Sequence, residues 1–242
     1  MNTTLHLGVV QLICTPIGNL GDITFRAVES IRAANVVACE DTRHSRGLLT
    51  HLGIHDKALV ALHEHNEEKG AGDLVERALR GERIVFLSDA GTPTISDPGY
   101  RLVNACHAAG VRVEVIPGPS AVITALAGSG LPSDAFYFGG FLPVKSGRKS
   151  TEIGKALQRR ETSIFFESPH RITKTLAVIA AQDPEREVCV ARELTKKFET
   201  YHRGPVTQIL EEFMVRQVKG EITVLIRGGG KRRTQDLDEE KI

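Results

Sequence analysis

Short apolar runs alternate with amphipathic stretches along the first half of the chain. Leu12-Ile13-Cys14-Thr15 reads as a strand, and Asp22 can cap a helix to Ala34 with Ile23, Ala27, Val28 and Ile31 on its apolar face. Val36 to Glu40 is a second strand, followed by a short helix to Leu52 that stops at Gly53. Ala58 to Leu62 is a third strand and Asn66 to Arg80 a third helix, closed by Gly81. Ile84 to Leu87 is a buried strand, Gly99 to Ala109 a helix, and Val111 to Ile116 a fifth strand before a small-residue helix to Ser129. Successive βα units predict a doubly wound, mostly parallel five-stranded sheet.

The pattern changes after Leu131. Leu131-Pro132-Ser133-Asp134 and Phe138-Gly139-Gly140-Phe141-Leu142-Pro143 read as a Gly- and Pro-rich boundary, then a Lys-rich loop and a polar helix to Arg160. Ile164 to Phe166 and Val188 to Ala191 read as strands, with Glu199 to Arg203 as a hairpin partner of the second. Helices are expected over Ile172–Ala181 and Val206–Gln217, and a last strand over Ile222–Ile226. The expected organisation is α/β throughout: an N-terminal domain over 1–118, a smaller mixed-sheet domain over 119–230, and a mobile tail over 231–242.

Composition narrows the classes. The chain has 242 residues, 41% apolar and 25% charged, as in ordinary globular proteins. No apolar run reaches the ~20 residues of a membrane span, and the N-terminus has no secretory pattern, so a cytoplasmic location without membrane contact is expected. Cys14, Cys39, Cys106 and Cys189 lie far apart and read as reduced core residues, not metal ligands. The net charge is +1, so any contact with nucleic acid needs a local basic patch.

Candidate chemistry sits where strands end. The richest stretch is Ser88 to Pro98, SDAGTPTISDP, with two aspartates, two prolines and four hydroxyls. Open α/β sheets place ligands at such carboxyl ends. Asp89 suits a ribose hydroxyl or an amine, and Gly91 admits close backbone approach; Asp97 reads equally as a helix cap. Pro117-Gly118-Pro119-Ser120-Ala121 offers backbone donors at a helix start. Gly18-Asn19-Leu20-Gly21 is not a dinucleotide fingerprint, which weakens a nicotinamide reading. Asp41 beside Arg43 is either a surface ion pair or a phosphate grip. In the second half, Glu167-Ser168-Pro169-His170-Arg171 and Arg192-Glu193-Leu194-Thr195-Lys196-Lys197 end strands. Lys145 to Arg160 carries six basic residues against Glu152, either a solvated face or an RNA-facing patch, and Lys231-Arg232-Arg233 is a second patch.

In this order the motifs TPIGNLGD (15–22), EDTRHS (40–45), SDAGTPTISDPGY (88–100), PGPSA (117–121), GLPSD (130–134), GFLP (140–143), FFESPHR (165–171) and ARELTK (191–196) resemble the ribosomal RNA small subunit methyltransferase I family, of the tetrapyrrole-methylase-like superfamily. The resemblance implies a two-domain fold with S-adenosylmethionine in an interdomain cleft and no metal. It implies methylation of a cytidine ribose 2′-oxygen in the decoding region of 16S rRNA, presented naked or in the 30S subunit, by a homodimer. It places Asp89, Ala90, Gly91, Thr92, Ser120, Ala121 and Glu167 at the cofactor, with Ile17 to Leu20 nearer the substrate. Asp41, Arg43, Glu167 and Lys196 are the expected catalytic residues, with His170 and Glu193 as further candidate bases. Lys145, Arg148, Lys149, Arg171 and Lys197 are expected on RNA phosphates. The alternatives are a tetrapyrrole-type small-molecule methylase on the same fold and a non-catalytic RNA-binding protein.

Overall fold

The computed structural model describes residues 8–215 and 218–229. The chain divides into two compact units, Met1–Ala121 and Val122–Ile242. In the first, strands β1 (Val9–Ile13), β2 (Val36–Cys39), β3 (Leu59–Ala61), β4 (Arg83–Leu87) and β5 (Arg112–Ile116) are joined by helices α1 (Phe25–Ala33), α2 (Thr42–His51), α3 (Glu67–Leu79) and α4 (Tyr100–Ala108). All neighbours pair in parallel, in the order β3-β2-β4-β1-β5.

Central strands are buried on both faces, which explains their unbroken apolar runs. Ile84 and Phe86 join Val10, Leu12, Val36 and Ala38 on the face covered by α3 and α4. Val85 and Leu87 join Ile13, Val37 and Cys39 on the face covered by α1 and α2. The four cysteines are free and buried.

The adjacent strands β2 and β4 lead off in opposite directions, β2 to β3 and β4 to β5. Such a divergence opens a crevice at the carboxyl ends of the two strands. Two local expectations are corrected. The first helix is capped by Thr24, whose hydroxyl accepts from Ala27 N, after a single 3-10 turn over Leu20–Asp22. Asp97 does not cap α4; the Oε1 of Glu67, at the start of α3, accepts from Gly99 N at 2.8 Å and Arg101 N at 2.9 Å.

The second unit holds β6 (Phe136–Phe141), β7 (Thr162–Glu167), β8 (Glu187–Arg192), β9 (Thr200–Pro205) and β10 (Ile222–Ile226). Helices α6 (Ser146–Gln158), α7 (Ile172–Gln182) and α8 (Val206–Met214) cover one face around Phe165, Leu176, Val190 and Phe213. Helix α5 (Ala121–Ser129) lies on the other, where Tyr201 donates its hydroxyl to Thr124 O at 3.2 Å. The order is β6-β7-β10-β8-β9, with β6 and β7 parallel and the remaining pairs antiparallel. Strand β6 is a further correction, since its residues read as a boundary in the sequence. The helix ending at Gln217 stops at Met214, and residues 216–217 lie outside the described residues, as do the 231–242 tail and its Lys231-Arg232-Arg233 patch. Among the described residues no helix is long and apolar enough to cross a membrane.

Candidate functional site

The carboxyl edge of the first sheet gathers the loops that follow β1, β4 and β5 and ties them together. Thr15 and Gly91 exchange backbone hydrogen bonds at 2.9 and 3.0 Å. Thr15 Oγ1 donates to Ser88 O at 3.1 Å, and Ser88 Oγ to Gly91 O at 3.3 Å. The Cys14 thiol reaches Thr92 Oγ1 at 3.4 Å, and that hydroxyl donates to Pro119 O at 3.4 Å. Gly91 takes φ +77°, and a Cβ there would press on Ile17 at 3.3 Å. Beyond it Thr94 and Ser96 hold φ of 73° and 64° without being glycine. Backbone of this kind persists only where surrounding contacts enforce it, and it collects at ligand-binding sites.

Carboxylates crowd the same edge beside the β2–β4 crevice. Asp89 Oδ1 accepts from Asp41 N at 3.2 Å, tying the β4 loop to the end of β2. Burial, and then the nearby charge of Glu40, push Asp97 up to about 6. Burial and the charge of Asp89 likewise raise Glu40. Sequence reasoning missed Glu40 and the titration of Asp97, because the charges that meet there come from different strands. This donor set fits a ligand carrying positive charge and hydroxyls: carboxylates, a glycine backbone and hydroxyl-lined loops, with no basic side chain in the ties among them.

Asp41 caps α2, accepting from Arg43 N at 2.8 Å, and the Arg43 guanidinium grips the same carboxylate at 2.9 and 3.2 Å. Those hydrogen bonds hold Asp41 down at about 2, too acidic for a base at neutral pH.

In the second unit, β7 ends at Glu167, whose side chain is 0% exposed. Lys149 Nζ donates to Glu167 Oε2 at 2.9 Å and to Thr175 Oγ1 at 2.8 Å, and Thr175 Oγ1 donates to Oε2 at 2.6 Å. Ser168 N donates to Oε1 at 2.8 Å, and Arg171 pairs with the same oxygen. A carboxylate has about four lone-pair sites, and all are taken. Burial alone would raise Glu167, but the bonds from Thr175 and Lys149 outweigh it and hold the group below its ordinary value. Two expectations are therefore corrected. Lys149 is buried in an ion pair and offers no charge to RNA, because its amine points into the α6–β7–α7 core. The Glu167 carboxylate is not a free base, because its bonds fasten the 168–171 turn.

Lys196 is also committed. Its Nζ lies 2.9 Å from Glu193 Oε1 and 3.0 Å from Glu221 Oε2, and Glu193 Oε1 also accepts from Glu221 N at 3.0 Å. Partial burial would lower its pKa, but these carboxylates raise it and keep the amine charged. Glu193 and Thr195 both hold positive φ, 52° and 64°. Register places these groups together, since Ile222 pairs with Glu167 on one side and Arg192 on the other. The 168–171 turn and the 193–199 turn thus share one edge of the second sheet. Lys145, Arg148 and Lys197 are exposed.

Residues 9–210 match the sequence model of the Tetrapyrrole (Corrin/Porphyrin) Methylases, and the chain belongs to this family. A solved uroporphyrin-III C-methyltransferase from Thermus thermophilus, complexed with S-adenyl homocysteine, shares the fold with a TM-score of 0.58 at 18% identity, covering 90% of this chain and 96% of that one. Among curated proteins, the chain is 46% identical over 97% of its length to "Ribosomal RNA small subunit methyltransferase I" of Vibrio cholerae, covering 82% of that protein. The protein of the same name from Escherichia coli O157:H7 is also 46% identical, over 97% of this chain and 82% of that protein.

Proposed function

We propose that this methyltransferase uses S-adenosylmethionine to methylate the ribose 2′-oxygen of a cytidine in the decoding region of 16S rRNA, in the cytoplasm and as a homodimer. The observation that supports the reading best is the 46% identity, over nearly the whole chain, to proteins named for methylation of small-subunit ribosomal RNA. The bound cofactor supplies an activated sulfonium methyl. Asp89, Ala90, Gly91, Thr92, Ser120 and Ala121 are assigned to holding it, in the loops that the Thr15–Gly91 and Thr92–Pro119 ties pre-form. The carboxylates of Glu40, Asp89 and Asp97 favour a cation at that edge.

RNA phosphates are assigned to Lys145, Arg148, Arg171 and Lys197, and Arg43 is assigned to a further phosphate at the end of β2. Of the bases the sequence offers, Asp41, Glu167, Glu193 and Lys196 are all committed to ion pairs. His170 is exposed, and among the described residues only its backbone N is engaged, donating to Ser168 Oγ at 3.2 Å. We assign His170 to accepting the 2′-hydroxyl proton, with positioning of the nucleotide contributing the larger share of the rate.

The deciding experiment offers labelled S-adenosylmethionine to 30S subunits and to naked 16S rRNA lacking the modification, and maps the product nucleotide. A labelled cytidine ribose in the decoding region is expected. Cofactor binding without transfer to either RNA would move the substrate to a small molecule. Sedimentation of the full chain tests the dimer.

A further inference from the structure

Strand β6 contains a β-bulge whose effect is to bring three aromatic rings together. Phe138 pairs with Ile164 and Phe141 with Phe166, so β6 spends three steps where β7 spends two. Without the extra residue, Phe138 and Phe141 would point to opposite faces. With it, Phe141 turns to the face of Phe138 and Phe166, away from the α6–α8 core that holds Phe165. Gly139 and Gly140 permit this. Gly140 takes φ +66°, and a Cβ on Gly139 would lie 2.3 Å from the Phe165 ring. Bulges that re-aim a side chain collect next to functional sites.

The three rings pack edge to face. Phe138 and Phe141 lie 5.0 and 5.3 Å from Phe166, centroid to centroid. Phe166 and Phe138 are half-buried, whereas Phe141 is 62% exposed at the carboxyl end of the strand. The exposed Val144, Lys145 and Arg148 follow it at the start of α6. At the same sheet edge a second aromatic–basic pair stands out, with Lys197 Nζ 5.6 Å over the ring of the exposed Phe198. An open aromatic face bordered by exposed cations matches what a single-stranded nucleic acid presents: stackable bases on a charged backbone.

We propose that Phe138, Phe141 and Phe166 form a stacking platform for an unpaired RNA base, with Lys145 and Arg148 on the adjoining phosphates. The inference rests on the RNA reading given above and adds the way a splayed base is held. Phe141 meets the base, and Phe138 and Phe166 fix its ring in place.

The test uses the full chain and a short single-stranded oligoribonucleotide carrying one 2-aminopurine, with affinity, base fluorescence and salt dependence read together. Phe141→Ala is expected to lose about tenfold in affinity, together with the fluorescence quenching, at an unchanged salt slope. Phe141→Trp restores both, and calorimetric affinity for S-adenosylmethionine is the same in all three proteins. Wild-type affinity and quenching in Phe141→Ala would overturn the platform while leaving the RNA reading intact. A shift of Phe141→Ala from dimer to monomer, with RNA affinity per protomer kept, would overturn it in favour of an interface between two copies. No binding of RNA by the unsubstituted protein would remove the RNA reading itself.

Discussion

Lys149 and Glu167 show how much a residue's meaning depends on its surroundings. In the sequence Lys149 is one cation in a basic run, and Glu167 an acid at the end of a strand. In the structure each satisfies the other inside the core, with Thr175 as the third member. Removing one partner leaves a buried charge uncompensated, at a cost of about 3–5 kcal/mol. Lys149→Ala should therefore lower unfolding free energy by that amount in urea titration, whereas the salt slope of RNA binding should not change. Asp89 is the contrasting case, since it stands at the carboxyl end of β4 with its Oδ1 accepting only from Asp41 N among the described residues. Asp89→Ala should weaken calorimetric binding of S-adenosylmethionine about tenfold, the worth of a charge-assisted hydrogen bond. Native folding with unchanged affinity would argue against the assigned pocket.

At the scale of elements, the β4 loop carries a carboxyl whose titration is displaced toward neutral pH. Asp97 titrates near 6 because it is buried beside Glu40 and Asp89. Its folded pKa is raised, so between about pH 4 and 6 the native state holds a proton the unfolded chain has released, and this group's contribution to stability falls as pH rises. Over the upper part of that window the loop gains a negative charge, and affinity for a cationic cofactor should rise. Calorimetry on either side of pH 6 should show tighter binding at the higher pH, and Asp97→Asn should flatten the difference. Strand β6 lies at the same scale. Its aromatic residues are good strand formers, but Gly139-Gly140 interrupts the alternation by which a strand is recognised. The glycines that hid the strand are those that let it bulge.

At the scale of the whole molecule, the two units carry different charge chemistry. The first gathers carboxylates at its sheet edge, and the second places exposed Lys145, Arg148 and Lys197 around its own. Exchanging Lys145 and Arg148 together for alanine should reduce the salt slope of RNA binding by about two and leave cofactor affinity unchanged. An unchanged slope would remove this patch from the RNA surface.

The sequence by itself determined the alternation of strands and helices in the first unit, and the concentration of chemistry in the loops after β1, β4 and β5. Both are local: apolar period and turn residues act over a few neighbours, and a Gly- and hydroxyl-rich stretch keeps its character wherever it lies. It also carried the motifs of the family, which are strings of adjacent residues. Only the tertiary structure decided which charges are free. Lys149 and Arg148 are neighbours on α6, yet one is buried against Glu167 and the other is exposed. The helix rotation that separates them is set by packing against β7 and α7. Tertiary structure likewise raised Asp97, by burying it and then by bringing Glu40 from the end of another strand beside it, and capped α4 with Glu67 from another helix. Burial and electrostatics depend on distances in space, and residues far apart in the chain set them.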